Sequence, residues 1–433
     1  MKKFLFILFF VFLCLPNAYA NKAKYIFLIV ADGMSVSNEV ALSNFLYGQD
    51  KMLSWNSFSV QTAMTTWSIN SYVGNYDETN FDNDKGYNTK LAGTIPYPYY
   101  KSDKAEQYFK NTVSTDIFAS LTAMSTGHKV YNNTVCYNKT NKKFISNITD
   151  KINEKREYNV ALITTNNFYS GAGASFFAHN KSKNNYSKIA EEILSKTKPE
   201  IIAGQNDIYE MNKVAQSNGY YCLDSSEINE PQVFNLVNKK LFIKLKKYCV
   251  PQPKENFTLE SFEYKILEDK FSDTVLYSIN MLLEKKKPFF TLIEFTDIDK
   301  ANNENDYNKM LGAVYDCNQT VKLIYDLVNS CSTEMNFDNT VIIVLSPYSS
   351  GMLRFNKFLA KGILPRPNIM IDNKTLLKWD TNIDYKTKDN TNELVGCYCV
   401  GVKSDLLKKY INEKNIIDNT DIYNVLNDIF FDD

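Results

Sequence analysis

The chain has 433 residues, 49 Lys and Arg against 49 Asp and Glu, 44% hydrophobic residues and only two histidines, His128 and His179. A balanced charge excludes the electrostatic footprint that would hold nucleic acid or an anionic lipid surface. The length would suit two or three average domains, but motifs scattered from residue 25 to beyond 390 favour a single α/β domain over residues 21–433, with insertions near 70–113 and 351–393.

The first twenty residues read as a secretory signal peptide. Lys2 and Lys3 supply the positive start, Phe4 to Leu15 the apolar stretch, and Ala18-Tyr19-Ala20 the small-x-small cleavage site. Cleavage after Ala20 would make the protein secreted or periplasmic. A membrane span needs about 20 apolar residues; this run is shorter, and no later stretch is long enough. Cys14 leaves with the leader, so an odd number of the eight cysteines remains. Cys317 and Cys331, on one expected helix, would sit about 21 Å apart and cannot bond each other. Cys397 and Cys399 fall on the same side of a strand. A Cys222–Cys249 bridge stays open beside the alternative of buried free thiols.

Apolar runs ending in polar or Gly-rich turns predict strands at Tyr25–Val30, Asn159–Thr164, Phe289–Phe295, Thr340–Leu345 and Gly396–Val402. Helical periodicity appears at Ser187–Lys196, Ser272–Lys285 and Tyr307–Asn329, the last with Met310, Val314, Cys317, Val321 and Ile324 in a 3–4 rhythm. Strands alternating with helices predict a three-layer α/β/α sandwich around a mostly parallel sheet. Ligands of such folds gather beyond the carboxyl ends of the strands, where Asp32 and Glu294 fall. Residues 70–113 are rich in Asn, Asp, Tyr and Gly and read as a long excursion between core elements. Its aromatic run Tyr97-Pro-Tyr-Tyr100 is a candidate ligand contact.

Three segments set the functional question. They are Tyr25-Ile-Phe-Leu-Ile-Val-Ala-Asp32-Gly-Met-Ser35, Thr115-Asp116-Ile117-Phe-Ala-Ser120-Leu-Thr122-Ala-Met-Ser-Thr126-Gly127-His-Lys129, and Leu292-Ile-Glu294-Phe-Thr-Asp297-Ile-Asp299-Lys300. In order and spacing they resemble the alkaline phosphatase family. The resemblance implies a fold of that kind, and it places Asp32 where the family bridges zinc and magnesium, Glu294 at the magnesium Glu and Asp299 at a zinc Asp. It also places Ile117 where the family has its serine nucleophile. An isoleucine has no lone pair to attack phosphorus. Ser120, one helical turn on, stands about 4.5 Å along the axis, beyond a near-attack distance of about 3–3.5 Å.

The other chemical positions differ in the same direction. The family's magnesium-side His and Thr fall on Ser170 and Ala172. Its zinc ligands fall on Asn303, on Pro347 and Tyr348, and on Asn390; His179 matches a His that is not a ligand. Each zinc site keeps one of its three protein ligands, and Asn, Tyr and Pro are poor substitutes. Asp32, Glu294 and Asp299 remain as oxygen donors for a residual Mg²⁺ or Ca²⁺ site. The expected function is therefore an exported alkaline phosphatase-like protein without phosphomonoesterase activity and without a required cofactor. Two alternatives stand beside it. One is a metal-dependent phosphatase taking zinc ligands from the irregular loops; the other is an extracytoplasmic protein that binds a small anionic or sugar ligand. A homodimer is compatible with any of the three.

Overall fold

The computed structural model describes residues 22–72, 86–230, 235–245, 249–254, 262–263, 270–330, 334–357, 360–365, 367–368, 378–379 and 382–432. The expected signal peptide and Cys331 lie outside them. Ten strands form one sheet: β1 Tyr25–Ala31, β2 Val60–Thr65, β3 Asn159–Asn167, β4 Ile201–Gln205, β5 Tyr220–Asp224, β6 Lys240–Lys244, β7 Phe289–Phe295, β8 Thr340–Leu345, β9 Val395–Gly401 and β10 Ile416–Asp418. Their order across the sheet is β10-β2-β9-β8-β1-β7-β3-β4-β6-β5. Only β9 runs against the rest, pairing antiparallel with β8 and β2. The sheet is thus mostly parallel, as the sequence pattern requires, with helices on both faces.

Every residue of β1 is buried, which explains why its sequence is apolar without alternation. Phe27 and Ile29 pack on one face against the helices Val36–Tyr47, Phe271–Glu284 and Tyr307–Asn329. Ile26, Leu28 and Val30 pack on the other, against Ile117–Thr126, Gly171–Phe177 and Asn419–Phe431. The expected helix at 187–196 is an α-helix over Tyr186–Glu192 that continues as a π-turn, Ile193–Thr197. Strands β2, β4, β5, β6 and β10 add to the five that periodicity marks. They are short; at the edge strand β5 exposed and half-buried residues weaken the apolar signal, and β10 has only three residues.

Part of the 70–113 excursion is tied to the body of the protein. It includes the helix Asp103–Asn111, and Tyr72, Tyr87 and Phe109 join Trp67, Met352 and Leu394 in a third, smaller apolar cluster. Arg354 fixes the junction: its guanidinium pairs with Glu106 at 2.9 Å and Glu393 at 2.7 Å and lies 3.8 Å from the Tyr97 ring centroid. Tyr97 is therefore a packing residue, whereas Tyr99 and Tyr100 are exposed. Cys222 is a free thiol, so the Cys222–Cys249 bridge is not formed; Cys317, Cys397 and Cys399 are buried thiols, the last two in one core cluster, as their spacing requires. No helix among the described residues is long and apolar enough to cross a membrane.

Candidate functional site

The carboxyl ends of β1 and β7 bring three acids together. Asp32 follows directly on β1, and the parallel register sets Glu294 of β7 beside Val30. Gly33 has φ +74°, and a Cβ there would lie 2.4 Å from Ser350 Oγ and 2.7 Å from Asp299 Cα. Only glycine allows this turn to close on the Asp299 backbone. Glu294 is fully buried; its Oε2 accepts from Thr164 Oγ1 at 2.6 Å, and its Oε1 accepts from the Ala172 N–H at 2.6 Å. Thr164 occupies the matching register position on β3. Asp299 Oδ2 accepts from Asn303 Nδ2 at 3.0 Å.

Asp32 is buried with neither carboxylate oxygen partnered among the described residues. Burial, followed by the charges of Glu294 and Asp299, holds its pKa well above the usual carboxylate range. Burial also pushes Glu294 up to about 7, against the hydrogen bonds from Thr164 and Ala172 that favour its charged form. Asp299 is raised by burial and opposed by the hydroxyls of Ser350 and Tyr348 and by Asn303. Tyr348, itself buried, is raised by burial and then by Asp299, Asp32 and Glu294. All four groups thus resist carrying negative charge there.

Ile117 opens the helix Ile117–Thr126, which Asp116 caps by accepting from the Ala119 N–H at 2.8 Å. The Ile117 side chain meets Glu294 at Gly171: a Cβ built on Gly171 would lie 3.0 Å from Ile117 Cδ1 and 2.1 Å from Glu294 Oε1. Ser120 faces away from a reactive role. Its hydroxyl is buried, donates to the Pro347 carbonyl at 2.5 Å and accepts from Asn419 Nδ2 at 2.9 Å. Asn390 Nδ2 donates to the Thr115 carbonyl at 3.1 Å, next to the start of the same helix. Ser170 is the N-cap of the helix Gly171–Phe177 but makes no capping hydrogen bond. Thr164, Gly171 and Ser350 join the site without a motif of their own; a hydroxyl within β3 and a glycine opening a helix are the signals the sequence offers.

A zinc pair does not fit this donor set. The donors around Asp32 are carboxylate, hydroxyl and amide oxygens, with no imidazole in contact with them. Among the described residues no group of three or more His, Cys, Asp and Glu side chains is placed to hold a metal ion. His179 is engaged elsewhere, its Nδ1 3.1 Å from Glu192 and its Nε2 3.2 Å from Asp150.

Burial pushes the His179 pKa down, but the hydrogen bonds and charges of Asp150 and Glu192 together bring it up to about 9 from an ordinary 6.5. The pair's contribution is therefore full below pH 6.5 and is lost as pH rises toward 9. We expect His179→Gln to cost roughly 2 kcal/mol at pH 6, with the gap to wild type narrowing above pH 9. Urea unfolding at both pH values measures this, and a gap that did not change with pH would contradict the assignment.

Comparison with known proteins agrees with this architecture. The family model described as alkaline phosphatase matches residues 77–214. Alkaline phosphatase 4 of Bacillus subtilis (strain 168) is 22% identical over 252 residues, which cover 55% of this chain and 50% of that protein. The chain thus matches half the length of that relative. The cold-active alkaline phosphatase of a Shewanella species superposes with a TM-score of 0.65 at 14% identity, covering 94% of this chain and 99% of that one. The alkaline phosphatase of the Antarctic bacterium TAB5 gives a TM-score of 0.63 at 15% identity, covering 94% and 98%. At such identities the structural likeness speaks for the fold. The chain thus has an alkaline phosphatase-like fold, and it is similar in sequence to that family over residues 77–214.

Proposed function

We propose that the protein is an exported alkaline phosphatase-like protein that does not hydrolyse phosphomonoesters. The observation that carries this reading is the Ile117 hydrocarbon, seated against Gly171 beside Glu294, at the helix start where the resemblance calls for an attacking hydroxyl. The donor set supports it, since Asn303, Tyr348 and Asn390 stand where the resemblance calls for zinc ligands. Phosphoryl transfer depends on charge stabilisation by metals and on in-line positioning of the nucleophile. Loss of one member of such a unit can cost about 10⁶ in turnover, and here nucleophile and ligands are replaced together. Export rests on the leader read in residues 1–20.

The test is turnover of an aryl phosphate by purified protein supplied with zinc and magnesium. We expect a rate no higher than that of an Asp32→Ala control. Ile117→Ser should gain less than about twofold, because a lone hydroxyl without its metals does not restore a unit whose members act together. Turnover well above the Asp32→Ala control would overturn the proposal. Asp32, Glu294 and Asp299 are the residues a hard cation would use, and calorimetric titration with magnesium and calcium is expected to show no tight binding.

A further inference from the structure

A cavity of about 280 Å³ shares no lining residue with the Asp32, Ile117, Glu294 and Asp299 cluster. Its floor is the sheet face at β2 and β9, where Ala63 and Gly396 pair in register. Gly396 matters because a Cβ there would lie 2.5 Å from the Tyr398 ring; without one, the ring lies back across the floor. The helix Val36–Tyr47 forms one wall through Val36, Glu39 and Val40, and the excursion segment forms the other through Ile95, Pro96 and Tyr99.

Glu39 is the unexplained group. It is 4% exposed, and its Oε2 accepts from Tyr398 Oη at 2.6 Å and from Trp55 Nε1 at 3.0 Å. Its Oε1 is buried and has no hydrogen-bond partner among the described residues. A buried carboxylate oxygen left unpartnered costs on the order of 1–3 kcal/mol or more, and no cation within the described residues pairs with Glu39. The cationic groups lie at the mouth instead. Lys51 Nζ sits 4.9 Å over the Tyr99 ring, and Lys414 Nζ donates to Thr89 Oγ1 at 3.2 Å.

This arrangement selects by charge and shape. The buried carboxylate disfavours an anion inside the cavity, and the two lysines at the mouth disfavour an organic cation. A hydroxyl donor suits Glu39 Oε1, the neutral amides of Asn56 and Gln61 line the same space, and the half-exposed Tyr99 offers a ring face. The volume lies just below the roughly 300 Å³ at which small-molecule sites begin, enough for a single ring. We propose that this cavity binds a neutral, hydroxyl-rich small molecule of about one sugar ring, held by a hydrogen bond to Glu39 and by stacking on Tyr99. The proposal does not depend on whether the protein hydrolyses phosphate esters.

The experiment is calorimetric titration of the full protein with D-glucose, N-acetyl-D-glucosamine and myo-inositol, with cadaverine and inorganic phosphate as charged comparators. We expect saturable binding of at least one neutral probe. Tyr99→Ala, at an exposed position that leaves the fold intact, and Glu39→Gln should each weaken it about tenfold, while Asp32→Ala leaves it unchanged. Absence of saturation with all three neutral probes would overturn the proposal. So would binding that survives Tyr99→Ala undiminished, binding lost in Asp32→Ala, or saturation by a charged comparator in place of the neutral ones.

Discussion

Replacing Lys129 by methionine is expected to destabilise the protein by about 3–5 kcal/mol, the cost of removing one partner of a buried ion pair. Lys129 is 1% exposed; its ammonium lies 3.0 Å from Asp418 Oδ1, donates to the Trp67 carbonyl at 2.9 Å and sits 3.9 Å over the Trp67 ring. Burial lowers its pKa to about 8, against the pull of Asp418. Asp418 in turn caps the helix Asn419–Phe431 and accepts from Thr65 Oγ1 at 2.7 Å. Losing the lysine therefore strands a carboxylate that also anchors β10 to its helix. Thermal unfolding reads the effect, and Lys129→Met combined with Asp418→Asn should recover part of it. A loss below about 1 kcal/mol would show that the pair does not hold these elements together.

The segment that carries Lys129 holds other residues with structural tasks. Asp116 caps the helix, Thr122 Oγ1 accepts from the Cys136 N–H at 3.2 Å, and Gly127 ends the helix at φ +73°. Like Lys129, these three residues have tasks in folding that need no chemistry. Structural tasks thus account for Asp116, Thr122, Gly127 and Lys129 in this segment.

Gly171→Ala is the second large effect, expected to cost about 3 kcal/mol or more. Gly171 has φ +45°, which an L side chain adopts only with strain. The new methyl would also lie 2.1 Å from Glu294 Oε1, so the carboxylate would have to leave its hydrogen bond to the Ala172 N–H. The same substitution should break the contact between the acids and the helix start. Comparing it with Gly219→Ala separates the two causes: Gly219 has φ +90°, but nothing lies within 4 Å of an added Cβ. If both variants lost the same stability, backbone strain would be the whole effect and the steric conflict with Glu294 would be discounted.

Much of the sheet was legible because a strand buried on both faces must be apolar at most of its positions. Phe289–Phe295 and Thr340–Leu345 carry their own boundaries for that reason. The helix Tyr307–Asn329 was equally plain, since one long face turned to the core repeats every three to four residues. Edge strands such as Tyr220–Asp224 carry no such mark, because half their surface meets solvent or loops. Asp32 and Glu294 could be placed at strand ends from local pattern alone. The Thr164 hydroxyl, the Gly171 approach and the Ser350 contact join segments far apart in the chain, so no local spacing encodes them.

By itself, then, the sequence determined the layered fold, the two acids Asp32 and Glu294 at strand ends and the hydrocarbon Ile117 directly after Asp116. Those are properties of short runs, read from periodicity and residue chemistry. Tertiary structure decided that Ser120 faces inward, that Tyr97 packs on Arg354 while Tyr99 borders a cavity, and that Glu39 lies buried with one oxygen unpartnered. Burial and hydrogen bonding depend on what the distant chain lays against a residue, and only the folded arrangement sets that.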